Sequence, residues 1–289
     1  MSQIFKVIWV LFLLLIFTVV SAYVVGEIFK EPSGNVALIR INGEIGSGNN
    51  LFSSGTSSDK IVSEIDNANS NPYVKALLVE INSPGGSVVA TKEIASALKS
   101  FNKTKVCWLR DTAASGAYWI ATECNYIVAD NFTITGSIGV TGSYIEFSGL
   151  FEKYGINYVR LVSGEEKDIG TPYRKPTKKE IESLQAILDE IHNAFVKEVA
   201  NNRNLTLDYV ENIADGSVFT GEHARDLGLI DKIGGKNEAL NIIKENANLT
   251  EIHLIEPKEK VSFLDLVSGF MSKEIFNYMM SNNFQIRLM

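Results

Sequence analysis

Histidine and cysteine are both scarce in this chain, with three of the former and two of the latter among 289 residues. His192, His223 and His253 stand apart, with no HExxH pattern and no Cys/His ligand spacing, so no metal site is expected. Cys107 and Cys124 lie in apolar segments, and two cysteines make no disulfide framework; they are expected as buried free thiols. Basic clusters are missing too. Lys and Arg total 27 against 34 acidic residues, a net charge of −7, which excludes nucleic acid as a partner. No internal repeat and no cofactor fingerprint is found.

What the chain does have is one long uncharged run, Val7 to Val25, enough to cross a bilayer as a helix, with Trp9 and Tyr23 near its ends. An uncleaved membrane anchor is expected. The alternative is a signal peptide cut after Val20-Ser21-Ala22. Lys6 precedes the run while Glu27, Lys30 and Glu31 follow it, which favours a cytoplasmic N-terminus and the rest of the chain across the membrane. The division expected is residues 1–31 as cytoplasmic stub and anchor, 32–58 as linker with a first strand and loop, 59–250 as the main domain, and 251–289 as a C-terminal segment. Its apolar stripe, Phe263 to Met280, fits a helix for the domain, a neighbour or a membrane surface.

Between these ends, periodicity alternates between strand and helix. Asn35 to Ile41 reads as a strand, Gly43 to Ser58 as a Gly/Ser/Asn-rich mobile loop, and Asp59 to Ala68 as a helix. Lys75 to Ile81 is a buried strand ending in Asn82-Ser83-Pro84-Gly85-Gly86-Ser87, and a helix follows through Ile94 and Leu98. Strands at Val106 to Leu109 and Tyr126 to Ala129 flank a helix opened by Ser115. This order calls for an α/β fold with a parallel sheet, whose ligands gather at the carboxyl ends of strands. Farther on, Phe147 to Tyr154 reads as a helix and Tyr158 to Val162 as a strand. Lys178 to Asn202 is a long amphipathic helix, with Ile181, Leu184, Ile187, Ile191 and Phe195 on one face for core or subunit contact. Shorter helices fall at Leu207 to Ala214, Gly221 to Leu227 and Asn237 to Asn246.

Ser115 sits at the strand-to-helix turn among small residues, which leave its hydroxyl approachable. The helix start offers unpaired N–H groups to the oxyanion formed when a serine attacks a carbonyl. A serine nucleophile needs a base, and neither His192 nor His223 stands beside a carboxylate in an evident relay. Lys167, in the loop Ser163 to Gly170, is the alternative. Its amine must be neutral to act, so its pKa has to fall from about 10.4 toward 7–8, a cost of about 4 kcal/mol for roughly 3 units. The Ser-x-x-Lys pairs Ser57/Lys60 and Ser96/Lys99 are discounted, since no KTG follows them.

Taken in order, NSPGGS (82–87), RDTAASGAYWIA (110–121), TGSIGV (135–140), SGEEKDIG (163–170) and FTGEHARDLGLIDKIGG (219–235) resemble the signal peptide peptidase A family of bacterial membrane serine peptidases. The resemblance covers about Asn35 to Gly235. It implies a fold similar to the caseinolytic-protease and crotonase group, and a Ser/Lys dyad of Ser115 and Lys167. It further implies that Ser137 orients the lysine amine and that backbone amides near Gly86 and Gly116 form the oxyanion hole. Short members assemble as homo-oligomeric rings in which neighbouring subunits contribute the lysine and serine of each site. The expectation is therefore a single-pass inner-membrane endopeptidase, its catalytic domain extracytoplasmic, cutting residual signal peptides and similar apolar peptides without a cofactor. Glu165 and Glu166 depart from the family pattern, in which less acidic residues often precede the lysine, and two carboxylates beside Lys167 favour its charged form, opposing base function. A crotonase-like acyl-thioester enzyme and an inactive ring-forming membrane scaffold are the other readings.

Overall fold

The computed structural model describes residues 34–47 and 55–256, together with six helical positions, Trp9, Leu11, Phe12, Leu14, Leu15 and Thr18. The expected anchor, Val7 to Val25, falls otherwise outside the described residues, as does the stripe from Phe263 to Met280. Among the described residues no helix is long and apolar enough to cross a membrane.

The core is a mostly parallel sheet. Strand β1 (Val36–Asn42) pairs along its whole length with β4 (Ala76–Ser83), which pairs in turn with β5 (Thr104–Ala114). These strands are apolar on both faces, the pattern of a parallel sheet covered on both sides. Ile39, Ile41, Leu77, Val79 and Ile81 face a large core formed with α1 (Ser58–Ser70), α2 (Val88–Ser100) and α3 (Gly116–Thr122). Val36, Leu38, Ala76 and Leu78 point the other way, onto Ile242 and Ile243 of α8 (Lys236–Asn246). On that second face the paired strands carry charge farther along, where Glu80 bridges Arg40 at 3.4 Å and Arg110 at 2.7 Å.

β5 is the organising strand because it is long enough to serve two neighbours. Val106 to Leu109 pair with β6 (Tyr126–Ala129), whereas Thr112 to Ala114 pair with β7 (Ile134–Gly136). The sequence signal for this strand stops at Leu109, since Arg110-Asp111-Thr112 breaks the apolar run while the backbone ladder continues. β7 is a strand for the same reason: its pairing depends on β5 and, antiparallel, on β8 (Val218–Thr220). β9 (Lys232–Ile233) and β10 (Leu254–Ile255) close the two edges. The sheet thus draws in β1 on one side and β10 on the other of residues 59–250.

Three expectations are corrected. Cys107 and Cys124 form a disulfide rather than free thiols, because the short return from α3 to β6 brings Cys124 beside β5 with a Cα separation of 5.8 Å. Tyr158 to Val162 is not a strand; the segment is exposed and has no sheet edge to complete its backbone hydrogen bonds. The expected mobile loop Gly43 to Ser58 holds paired backbone among its described residues, since β2 (Ile45–Gly46) pairs with β3 (Thr56–Ser57), and Thr56 Oγ1 bonds both the N–H and the carbonyl of Asn42.

Helix α4 (Ser148–Lys153) buries no residue. In the long helix α5 (Lys178–Arg203) Phe195, Val196, Val199 and Ala200 are buried, while Ile181 and Ile187 near its start remain exposed. Only the second half of its apolar face therefore belongs to this chain's core. Between α5 and α8 the chain forms α6 (Leu207–Ile213) and α7 (Gly221–Asp226).

Candidate active site

β4, β5 and β7 run parallel, and their carboxyl ends converge. Ser83 pairs with Ala113, and Ala114 pairs with Gly136, so the residues that follow, Pro84 to Gly86, Ser115 and Ser137, meet at one end of the sheet. Ser115 turns the chain from β5 into α3 with φ 54° and ψ −126°, a conformation strained for any residue with a Cβ. That turn lifts its side chain out of the ladder and sets it at the start of α3, whose first N–H groups have no intrahelical acceptor. The Ser115 N–H donates to the Gly136 carbonyl at 2.9 Å, which ties the turn to β7.

Glycine is required beside it. Gly85 has φ +104°, and a Cβ there would lie 2.8 Å from the Gly116 nitrogen and 3.0 Å from Ser115 Cβ. At Gly86 a Cβ would strike the Ile45 carbonyl oxygen at 2.0 Å, because Gly85 and Ser87 both bond to Ile45. At Gly116 it would meet Thr91 Oγ1 at 2.4 Å. Side chains are thus excluded along the path from the glycine loop to Ser115, and backbone lines that path. Ser137 also has positive φ, 50°, and its N–H donates to the Ser217 carbonyl at 2.8 Å.

A cavity of about 310 Å³ opens here, and Ser115, Ser137, Gly86 and Gly116 all line it. Its apolar wall comes from Val88, Ile191 and the stacked rings of Trp119 and Phe195, 4.5 Å apart and 5° from parallel. Two buried polar atoms of the wall, Thr91 Oγ1 and Trp119 Nε1, have no partner within the described protein. Asp215 also lines the cavity, with its carboxyl held below the usual range by hydrogen bonds from Ser217.

Lys167 is not brought to Ser115 in this way. It is exposed in the turns of residues 163–170 and is not among the residues lining the cavity. Around it, Glu165 and Glu166 both pair with Lys179, at 3.2 and 2.9 Å. Asp168 accepts hydrogen bonds from Arg160 and Arg174, and their guanidinium groups, Arg160 foremost, hold its carboxyl well below the ordinary carboxylate range. Arg174 continues to Glu180, which is 3% exposed and completes a capping box with Thr177. Arg174 and Asp168 escaped the sequence reading; only the Thr177-x-x-Glu180 capping box had a legible signal.

The histidines are engaged elsewhere. His192 bonds the Ala214 carbonyl at 2.8 Å, the His223 ring packs edge-on against Phe219, and His253 lies 3.5 Å from Glu251.

Residues 97–250, more than half of the chain, match the family described as peptidase family S49. A provisionally named protease of Methanocaldococcus jannaschii is 38% identical over 194 residues, 66% of this chain and 62% of that protein. A provisionally named signal peptide peptidase SppA of Enterococcus faecium is 33% identical over 240 residues, 80% of this chain and 70% of that protein. Protease 4 of Salmonella typhi is 32% identical over 249 residues, covering 85% of this chain but 40% of its own length. With a matching family profile over more than half its length and a relative covered to 70% at 33% identity, the chain belongs to peptidase family S49.

Proposed function

We propose that this chain is a membrane-anchored serine endopeptidase that cleaves residual signal peptides and similar apolar peptides. The observation that carries the reading is the Ser115 turn, strained, at a helix start and set in a cavity with Ser137, Gly86 and Gly116. Ser115 Oγ attacks the scissile carbonyl and Lys167 Nζ takes its proton. Backbone N–H groups near Gly86 and Gly116 hold the oxyanion, and Lys167 returns the proton to the leaving amine. Water then cleaves the acyl-enzyme ester, with Lys167 again the base. Ser137 orients the lysine amine.

The base is delivered from a neighbouring copy in a ring. Two features support this: Lys167 stands away from its own chain's cavity, and the segment carrying it exposes large apolar side chains, among them Ile145 at 70% and Leu161 at 89%. Side chains of that size gain about 1.5–3 kcal/mol each when fully covered, which a neighbour provides. The exposed first half of α5 adds Ile181 and Ile187 to the same need. Val7 to Val25 anchors the chain, and residues 36–255 form the catalytic domain outside the membrane. The Cys107–Cys124 disulfide supports that side, since disulfides persist in oxidising compartments.

The apolar wall of Val88, Ile191, Trp119 and Phe195 fits an apolar substrate side chain, in keeping with the name of the Enterococcus faecium relative. A serine-directed phosphonate tests the chemistry. A covalent adduct located on Ser115 by peptide mass, and absent from Ser115→Ala, is expected. An active protein left unlabelled at Ser115 removes the reading.

A further inference from the structure

We infer that Arg174, locked by Glu180 and acting through Asp168, is a positioning residue for Lys167. The inference rests on the reading of Lys167 as general base and extends it to how that base is held.

The loop carrying Lys167 has little backbone structure to hold it. Its main-chain hydrogen bonds are local turns, Lys167 N–H to Gly164, Ile169 N–H to Glu166 and Thr171 N–H to Asp168. A lone lysine on such a loop samples many positions, whereas proton transfer needs its amine within hydrogen-bond reach of one hydroxyl. Side chains supply the missing restraint. The residue next to Lys167, Asp168, uses both carboxylate oxygens: Arg160 donates at 2.7 to 3.1 Å and Arg174 at 2.9 and 3.1 Å. Arg160 also donates to the Glu165 carbonyl, so it grips the loop on both sides of Lys167.

Arg174 then carries the restraint to a rigid element. The Nη1/Nη2 edge of its guanidinium donates to Glu180, and Glu180 accepts from the Thr177 N–H at 2.8 Å while Thr177 Oγ1 accepts from the Glu180 N–H. Glu180 is buried at the start of α5, the helix whose later turns place Ile191 and Phe195 in the cavity wall. One helix therefore fixes both the wall of this chain's cavity and the loop bearing its lysine. The four charged groups alternate in sign, Arg160, Asp168, Arg174 and Glu180, so the clamp adds no net charge beside the amine. Planar bidentate pairing is what an arginine provides and a lysine does not.

The test uses full-length assembled protein in detergent, comparing Arg174→Ala, Arg174→Lys and Asp168→Asn in the wild type and in Lys167→Ala. Turnover of a peptide substrate and the labelling rate of Ser115 by a phosphonate are both measured. Each of the three is expected to lower kcat by about 100-fold, the scale for a misplaced catalytic group, with KM changed less than about twofold. In the Lys167→Ala background none should slow the residual labelling further, because the group they position is gone. Wild-type kcat in Arg174→Ala and Asp168→Asn overturns the inference. So does a labelling loss as large without Lys167 as with it. Asp168→Asn, nearly isosteric, decides the matter if Arg174→Ala fails to assemble. Failure of the dyad reading shows separately, as wild-type turnover by Lys167→Ala itself.

Discussion

Ser115 and Ser137 each stand one residue beyond a register pair, Ala114 and Gly136, on adjacent parallel strands, and both take positive φ, 54° and 50°. Two serines in left-handed backbone, one ladder step apart, are a costly arrangement; each such residue costs about 1–3 kcal/mol and persists because its surroundings over-determine it. Here the restraints are the hydrogen bonds from Ser115 to Gly136 and from Ser137 to Ser217. Strain of this kind at neighbouring strand ends marks the place where the sheet offers side chains to a ligand.

The strain itself is measurable. Ser115→Gly and Ser115→Ala are both expected to lack peptidase activity, but the glycine variant should be the more stable by about 1–3 kcal/mol, because glycine adopts the turn without a Cβ penalty. Denaturant unfolding of the two variants checks this. Equal stability, or a more stable alanine variant, contradicts a strained turn.

The disulfide spans a sequence separation of 17 residues and encloses Ser115 between its two cysteines. A loop of that size is stabilised by about 3 kcal/mol on closure in the chain-entropy account. Cys107→Ala/Cys124→Ala is therefore expected to melt well below the wild type, and reductant should lower the wild-type melting temperature but leave the double variant unmoved. Insensitivity of the wild type to strong reductant would argue that the bond contributes nothing to stability.

Acid should dissolve the clamp around Lys167 in a definite window. Glu180 is held down to about 2, first by Arg174 and then by the Thr177 N–H, against an ordinary value of 4.5. A depressed carboxyl contributes stability above its unfolded value and loses it as pH falls toward its folded one. The contribution is thus full above about 4.5 and lost between there and about 2. Melting of wild type against Glu180→Gln across that range should show the wild-type advantage shrinking as pH falls. A constant difference across the range contradicts the coupling.

The parallel sheet was legible because its strands are buried on both faces: Ala76 to Val79, within the run Lys75 to Ile81, and Tyr126 to Ala129 read as continuous apolar runs. The Ser115 turn was legible for a local reason, small residues between a strand and a helix. β7 was not, since Ile134–Gly136 owes its strand character to partners on β5 and β8 that no short window contains. The disulfide was hidden in the same manner: nothing local to Cys107 tells that β6 returns beside it. Tyr158 to Val162 misled because β-prone apolar residues, interrupted only by Arg160, also suit a surface awaiting a partner. Apart from the Thr177-x-x-Glu180 capping box, the clamp of Arg160, Asp168, Arg174 and Glu180 was invisible because charged residues at irregular spacing read as solvated loop.

The account turns on where Lys167 acts. Ser115→Ala and Lys167→Ala proteins, each expected to be inactive alone, are mixed at equal ratio and allowed to exchange subunits. If each site draws its serine and its lysine from different copies, about one site in four regains both, so the mixture should recover roughly a quarter of wild-type peptidase activity. Mixed assemblies verified by differential tagging that recover no activity would contradict the account, and would put both residues of each site in one chain.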